Sequence, residues 1–493
     1  MESHTDAPLL RSEKVAVATF DGTGRGVQCL TAVQGGEVLL RCPLRDCWTA
    51  ANATQSPLVA RLLHVEAQPS VGEFSEEDLI SLHLMLEYLR GETSDRWNHI
   101  KELPESFHTP LLWSDGELYN LTGSAYQMLA VYLRNQVEDD YNTLMEKIGR
   151  RQRLEGGPSN TERAASLQAV AAEEVELERL TLDRYRWARA CIQSRSMVLE
   201  NDAIEEFLCL PGGGADMFNH SPEAGPGSHR LAGGSTEDAA VEVVATRDLD
   251  AGEQAFISYG ARLSTASLLF SYGCVLPGLV EPIDAADQAF VPGIPSPNDF
   301  VEIVYTIPMP SMGKTRASAS DSKVQKVREA LMFQAVSHAP EEEQESFSVE
   351  IPDLVQNPAG EQLMEIRFRL TTTNPAPVTY LVLSRLETID EATATAIEAL
   401  TPLHKSELCL GKKAISEQNE MQTLGLLKKG ILSRLRSYPT SISEDEALLK
   451  DHEIAERLKL AVALRLVEKR ILDASLNELG SLTGRLAEAA FLM

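Results

Sequence analysis

Residues 211–278 constrain this chain more than any other stretch, because they hold two short signals about forty residues apart. The first is Asp216-Met217-Phe218-Asn219-His220, five residues of mixed polarity between Gly212-Gly213-Gly214 and the turn-forming Ser221-Pro222. The second is Ile257-Ser258-Tyr259-Gly260, with Tyr272-Gly273 following thirteen residues after Tyr259. Taken singly, an Asn-His pair in a loop bounded by Gly and Pro reads as a turn, and a Tyr-Gly pair as the close of a strand. Their order and their company carry the information.

Around these signals the chain alternates between two periods. Val15-Ala16-Val17-Ala18-Thr19 reads as a strand breaking into a glycine turn at Asp21-Gly22-Thr23-Gly24-Arg25-Gly26, with a second strand near Val38-Leu39-Leu40. The Gly-x-Gly-x-Gly spacing lacks both the full dinucleotide fingerprint and the lysine of a phosphate loop. Gly35-Gly36-Glu37 and Ala251-Gly252-Glu253 read as two hairpin-like turns before apolar strands. From Ser75 the period is helical: Leu79, Leu82, Leu86 and Leu89 recur at helical spacing, and Ser75 with Asp78 resembles a capping box. Helical spacing returns over 124–149 and 160–194, so a helical block is expected between two β-rich pieces, the second with strands at 240–245 and 254–258.

Pro282, Pro292, Pro295 and Pro297 mark a linker between 278 and 299. Beyond it, helix-period segments are expected at 322–338, 387–400, 416–435 and 443–479, with strands at 347–351 and 365–370. In the last segment the apolar residues spread too widely for a one-sided helix, which predicts a helix packed on two sides. No solenoid repeat and no sustained heptad register stands out.

At 493 residues, 43% hydrophobic and 24% charged, the chain has globular composition and room for two or three domains. Its 45 Lys and Arg against 73 Asp and Glu give a formal charge of −28, which repels phosphate backbones and anionic membrane surfaces. Nucleic acid and membrane are therefore not expected as partners, whereas a basic protein tail or a presented lysine would be attracted. The seven cysteines are scattered, with no Cys-x-x-Cys and no His-rich spacing, so reduced thiols in an intracellular protein are expected and a metal is not. No signal peptide, transit peptide or membrane span is read, which favours cytoplasm or nucleus over chloroplast.

Gly24-Arg25-Gly26-Val27, Gly36-Glu37-Val38-Leu39-Leu40, Leu103-Pro104, Thr109-Pro110-Leu111-Leu112-Trp113, Glu117-Leu118-Tyr119-Asn120-Leu121, Trp187-Ala188 and Ser194-Arg195 occur in this order. Followed by Asp216 to His220 and Tyr259-Gly260, they resemble the SET-domain protein methyltransferases of the Rubisco large-subunit methyltransferase-like branch. Tyr438-Pro439-Thr440, Glu444-Asp445-Glu446 and the run from Arg465 to Leu472 resemble the helical domain that follows the SET domain there. The resemblance implies an α+β chain: a β-rich SET domain over 15–278 with a helical insert at about 75–195, a linker over 279–298, and a mostly α-helical substrate-binding domain over 299–480.

It further implies an enzyme that transfers a methyl group from S-adenosyl-L-methionine to a protein lysine, working as a monomer on a protein substrate that presents the lysine. The alternatives are a protein-histidine methyltransferase, or a catalytically inactive SET-fold binding module. Tyr259 is the implied catalytic side chain, a phenol able to orient amine and methyl without carrying charge. Gly24, Arg25, Ser194, Arg195, Asp216, Asn219, His220 and Tyr259 are implied in cofactor binding, and Tyr272 and Cys274 in the substrate channel. No metal ligand is assigned. Three departures stand out: Thr265 where the branch commonly has Asn, Cys274 where Phe commonly follows Tyr-Gly, and a long Gly-rich loop from Glu223 to Thr236.

Overall fold

The computed structural model describes residues 12–21, 23–63, 74–154, 177–235, 238–260, 262–280, 292–308, 323–337, 339, 347–350, 363–451, 453–486 and 491. The chain is α+β and divides into two units, Met1–Leu118 with Met128–Pro277, and Tyr119–Gln127 with Gly278–Met493.

In the first unit β1 (Val15–Phe20) and β2 (Gly24–Cys29) form an antiparallel hairpin running from Val15 opposite Cys29 to Phe20 opposite Gly24. The glycine segment expected as a turn is thus itself a strand, and only residues before Gly24 turn. Val27 and Cys29 bury fully there, and Gly26 serves a close approach: a Cβ on it would lie 2.8 Å from Asn219 Nδ2 and 2.4 Å from Gln254 Nε2.

The remaining strands of this unit are β3 (Val38–Pro43), β4 (Met197–Asn201), β5 (Ile204–Cys209), β6 (Asn219–His220), β7 (His229–Ala232), β8 (Ala240–Val244) and β9 (Gln254–Ile257). They assemble into three small sheets of order β1-β2-β9-β6, β3-β8-β7 and β4-β5. The two Gly-Glu segments do turn, but neither closes a hairpin, because β3 pairs with β8 and β9 pairs with β2. Instead the turns lie beside each other through reciprocal backbone bonds between Val33 and Leu249, at 2.9 and 3.0 Å. Pairing with distant strands buries more apolar surface than a local hairpin would, since the inner residues of β3, β8 and β9 join one core with Val27, Met217 and Phe218.

A helical block packs a second core in the same unit. It begins at Ala50–Gln55 and Pro57–Leu63, earlier than the expected start near 75, because Thr49 caps the first of these helices and Leu58, Val59, Leu62 and Leu63 are buried. Glu76–Arg90 follows, with Ser75 Oγ accepting the Asp78 amide, then Tyr126–Leu154 and Leu182–Arg195. The first part of the expected segment 160–194, up to 176, lies outside the described residues, and the helical spacing expected to end at 149 continues to the end of Tyr126–Leu154.

The second unit carries a sheet of order β10-β12-β11, from β10 (Val301–Pro308), β11 (Phe347–Glu350) and β12 (Leu363–Leu370), of which β10 was not anticipated. Helices Lys323–Ser337, Val378–Glu387, Glu391–Ala399, Pro402–Cys409 and Glu417–Ser437 accompany it. The single helix expected over 443–479 is two, Ile442–Leu449 and Glu456–Gly484. Asp445 of the first is held by Arg465 at 3.1 Å and Lys469 at 2.6 Å of the second, a fully buried arrangement that requires the chain to turn between them. The longer helix is buried on several sides, as its apolar spread predicts. No helix among the described residues is long and apolar enough to cross a membrane.

Candidate active site

The strand β6 lies parallel to β9, with Asn219 opposite Phe256 and His220 opposite Ile257. This pairing sets the two sequence signals side by side. Two residues beyond β9, Tyr259 is anchored from three directions. Its hydroxyl donates to the Phe218 carbonyl at 2.8 Å, and its amide donates to His220 Nδ1 at 3.1 Å. Its ring lies between those of His220, 5.2 Å away, and Tyr272, 4.4 Å away, both nearly parallel to it. Burial, with added repulsion from nearby acidic groups, raises the Tyr259 pKa, so the phenol stays neutral. Burial lowers the pKa of His220, consistent with a neutral ring accepting the Tyr259 amide.

Tyr259 and Tyr272 line a cavity of about 430 Å³ together with Ser194, Arg195, Asp216 and Phe218. Met197, Ile257 and His229 complete much of its wall. Arg195, at the end of the helix Leu182–Arg195, donates to the Asp216 carbonyl at 2.9 Å and to its carboxylate at 3.1 Å. On the other side of the carboxylate, His99 Nε2 stands 3.2 Å from Asp216 Oδ1, while Trp48 Nε1 donates to His99 Nδ1 at 2.8 Å. An indole N–H only donates, so the His99 proton sits on Nε2, facing Asp216. Burial pushes the Asp216 pKa up, but His99 and Arg195 outweigh it and hold the carboxyl below its ordinary value. The Arg195 Nε is buried and has no hydrogen-bond partner among the described residues, which leaves donor capacity for an anionic group.

The structure brings Ser194, Arg195, Asp216, Tyr259 and Tyr272 to one cavity, but not every residue named from sequence. Asn219 turns its amide to the carbonyls of Thr23, at 3.3 Å, and Arg25, at 2.9 Å, tying β6 to the glycine strand instead of lining this cavity. The Arg25 side chain pairs with Glu102 at 3.0 Å. Ser194 Oγ donates to Ala190 O at 2.7 Å. Cys274 is exposed and is not among the residues lining this cavity, yet it lies near enough to Tyr259 and Tyr272 to help raise the pKa of both. Thr265 is buried in the first turn of that helix, behind the Ser264 cap.

Sequence reasoning missed His99, Trp48, Met197 and His229. Trp48 and His99 carry no local signal, since their partners lie on other elements. His229 had one, for it falls in the Gly-rich loop that departs from the family pattern.

A small β-sheet core threaded by two adjacent motif segments, with a helical insert, defines the SET-fold class. Solved structures agree. The SET domain of LSMT bound to lysine and AdoHcy matches with a TM-score of 0.62 at 18% identity, over 97% of this chain and 89% of that one. Rubisco LSMT bound to AdoMet matches with a TM-score of 0.60 at 19% identity, with the same coverage.

Residues 358–472 match the family model described as Rubisco LSMT substrate-binding, in agreement with the branch its motifs resemble. The chain is 23% identical over 483 residues to the chloroplastic [fructose-bisphosphate aldolase]-lysine N-methyltransferase of Arabidopsis thaliana, covering 95% of this chain and 80% of that one. It is 22% identical to the chloroplastic ribulose-1,5 bisphosphate carboxylase/oxygenase large subunit N-methyltransferase of Nicotiana tabacum, over 91% of this chain and 74% of that one. It is 23% identical to the actin-histidine N-methyltransferase of Homo sapiens, over 94% of this chain and 65% of that one.

Proposed function

We propose that this chain is an S-adenosylmethionine-dependent protein-lysine N-methyltransferase, with a SET domain over 15–278 and a substrate-binding helical domain over 299–480. The observation that carries the reading is the cavity that joins a half-buried Arg195, whose buried Nε has no partner among the described residues, to the stacked, neutral Tyr259 and Tyr272. Relatives and solved structures whose names specify protein methylation and AdoMet support it.

The residues present fit that cofactor. A cavity of about 430 Å³ is within the range of small-molecule sites, roughly 300–1,000 Å³. Arg195 offers a cation and a free Nε–H for a carboxylate, and Asp216 fixes its position. Ser194, Arg25, Gly24, Asn219 and His220 are assigned to the same site: Asn219 holds the Gly24 to Gly26 strand against β6, and His220 holds Tyr259. S-adenosylmethionine supplies an electrophilic methyl on a positively charged sulfur.

Tyr259 takes the central role. Its proton is spent on Phe218 O, so its oxygen lone pairs are left for the reacting groups, without negative charge. The wall of Tyr272, Met197 and Ile257 excludes water and suits an aliphatic stem, and desolvation favours the uncharged amine over the ammonium. Alignment and water exclusion are then the main sources of rate. Seven cysteines present as free thiols support a reducing, intracellular setting.

A protein-histidine target is the second reading, favoured by the actin-histidine methyltransferase at the same 23% identity as the aldolase-lysine enzyme. The test is calorimetric titration with S-adenosylmethionine, combined with labelled-methyl transfer to a cell extract and mass spectrometry of the modified peptide. Binding by the wild type, at least tenfold weaker binding by Arg195→Ala, and labelled lysine lost on Tyr259→Phe are expected. No cofactor binding would refute the reading, and label on histidine would replace it with the second.

A further inference from the structure

His229 belongs to the cavity wall, yet neither the cofactor-binding set nor the channel residues described above include it. It opens β7, whose register places it opposite Val243 of the buried strand β8, so its backbone is fixed by a ladder. The preceding residue is fixed as well. Ser228 is fully buried, and its Oγ accepts the amide of Ser258 at 2.9 Å, immediately before Tyr259 in the chain. The Gly-rich loop is thereby tied to the segment that positions Tyr259, and it delivers an imidazole into the same space.

The His229 Nδ1 is buried with no hydrogen-bond partner among the described residues. A buried polar atom left unsatisfied is costly, and such atoms in a cavity wall are expected where a ligand group completes them. The acceptor amine of a lysine substrate is such a group, and it must lose a proton before it can attack.

On the lysine-methyltransferase reading given above, we propose that His229 is the proton acceptor for the substrate amine. An N–H proton of the ammonium passes to an imidazole nitrogen, leaving the lone pair on the amine. That lone pair forms the new N–C bond as the S–C bond breaks and its electrons stay on sulfur; the imidazolium then releases its proton to water. No oxidant or further reactant is needed.

The surroundings suit a base that works near neutrality. Burial lowers the pKa of His229, so the ring is neutral and ready to accept at physiological pH. Between about pH 6.5 and 9 the ionisable groups around it keep their state: Asp216 is held as carboxylate, Tyr259 and Tyr272 are raised by burial, and the nearby Cys274 thiol is pushed up to about 11. Across that range the titrations that govern the step are those of His229 and of the substrate amine.

The test compares initial rates of wild type, His229→Gln and His229→Asn on a hypomethylated cell extract at saturating methyl donor, from pH 6.5 to 9. Wild type should be nearly flat. The variants should fall about 10²-fold at pH 7, within the range of general-base effects, and recover to within about tenfold by pH 9 as the amine deprotonates unaided. A second readout needs no turnover: the imidazole nitrogens of wild type labelled with 15N-histidine, titrated with lysine amide in the presence of S-adenosylhomocysteine, should show a shift at His229.

A loss that is the same at every pH, no loss at all, or no His229 response to lysine amide would overturn the proposal. If the wild type binds cofactor but transfers no methyl group, the lysine-methyltransferase reading fails, and the NMR titration alone still decides whether His229 accepts from an amine.

Discussion

Arg195 reaches Asp216 twice, through the backbone carbonyl at 2.9 Å and the carboxylate at 3.1 Å, and so fixes the end of a helix to the loop that precedes β6. The carboxylate side chain is 1% exposed and has His99 on its other face, so this ion pair is not a solvated surface contact.

Asp216→Ala should therefore destabilise the protein by about 3–5 kcal/mol, the range for leaving a buried partner unpaired. The pH dependence has a definite sign. Burial raises the Asp216 pKa but His99 and Arg195 lower it further, so the folded value lies below the unfolded one of about 3.9. Its stabilisation is complete above the unfolded value and is lost as pH falls through the folded one. Denaturant titrations should show a constant gap between wild type and variant from pH 6 to 8, narrowing below about pH 4. A gap that widens on acidification would contradict the assignment.

Glu468 predicts the opposite pH behaviour. Burial raises its pKa to about 7, only partly offset by the neighbouring Ser124, Arg434, Tyr438 and Lys469. The unfolded chain gives up this proton near pH 4.5, whereas the folded chain keeps it to about pH 7. Stability is thus lost as pH rises across that window, by roughly 3 kcal/mol from a shift of this size. Glu468→Gln should raise the melting temperature at pH 8 and change it little at pH 4, which thermal scans at the two pH values would decide.

Two glycines should respond differently to alanine. Gly123 has a φ of +89°, and a Cβ on it would sit 2.7 Å from the Tyr438 Cα and 2.8 Å from its amide nitrogen, which are backbone atoms unable to yield. Gly123→Ala should cost about 2–4 kcal/mol by denaturant titration, from strain and overpacking together. At Gly26 the clashing atoms are the side-chain ends of Gln254 and Asn219, which can swing aside. Gly26→Ala should cost less than about 1.5 kcal/mol, yet weaken S-adenosylmethionine binding about tenfold by displacing the Asn219 amide from Arg25 O. Equal stability losses for the two variants would refute the distinction.

What the sequence determined by itself was local chemistry. Asn219, His220 and Tyr259 could be singled out because an Asn-His pair in a glycine-bounded loop and a Tyr-Gly pair after a strand stand in the order, and among the motifs, of the family the chain resembles. The Ser75 cap and the all-round burial of the last long helix followed from side-chain patterns within one turn or one face. Arg195 and Tyr272 could be named from motif order and then proved to line one cavity.

The tertiary structure decided everything that depends on partners remote in the chain. Nothing local to the Gly24 to Gly26 segment makes it a strand; its ladder with β1 does, and β9 pairs with the same strand just beyond, at Val27 and Gln28. The buried chain from Trp48 through His99 and Asp216 to Arg195 is assembled from four separate elements, and His229 enters the cavity because Ser228 is bonded to Ser258. A short parallel pairing of Asn219-His220 with Phe256-Ile257 turns two weak signals into one site. Propensity and capping act over a few residues, whereas hydrogen-bond ladders and burial are collective, so the sequence could name the site's main members while only the fold could set what each of them touches.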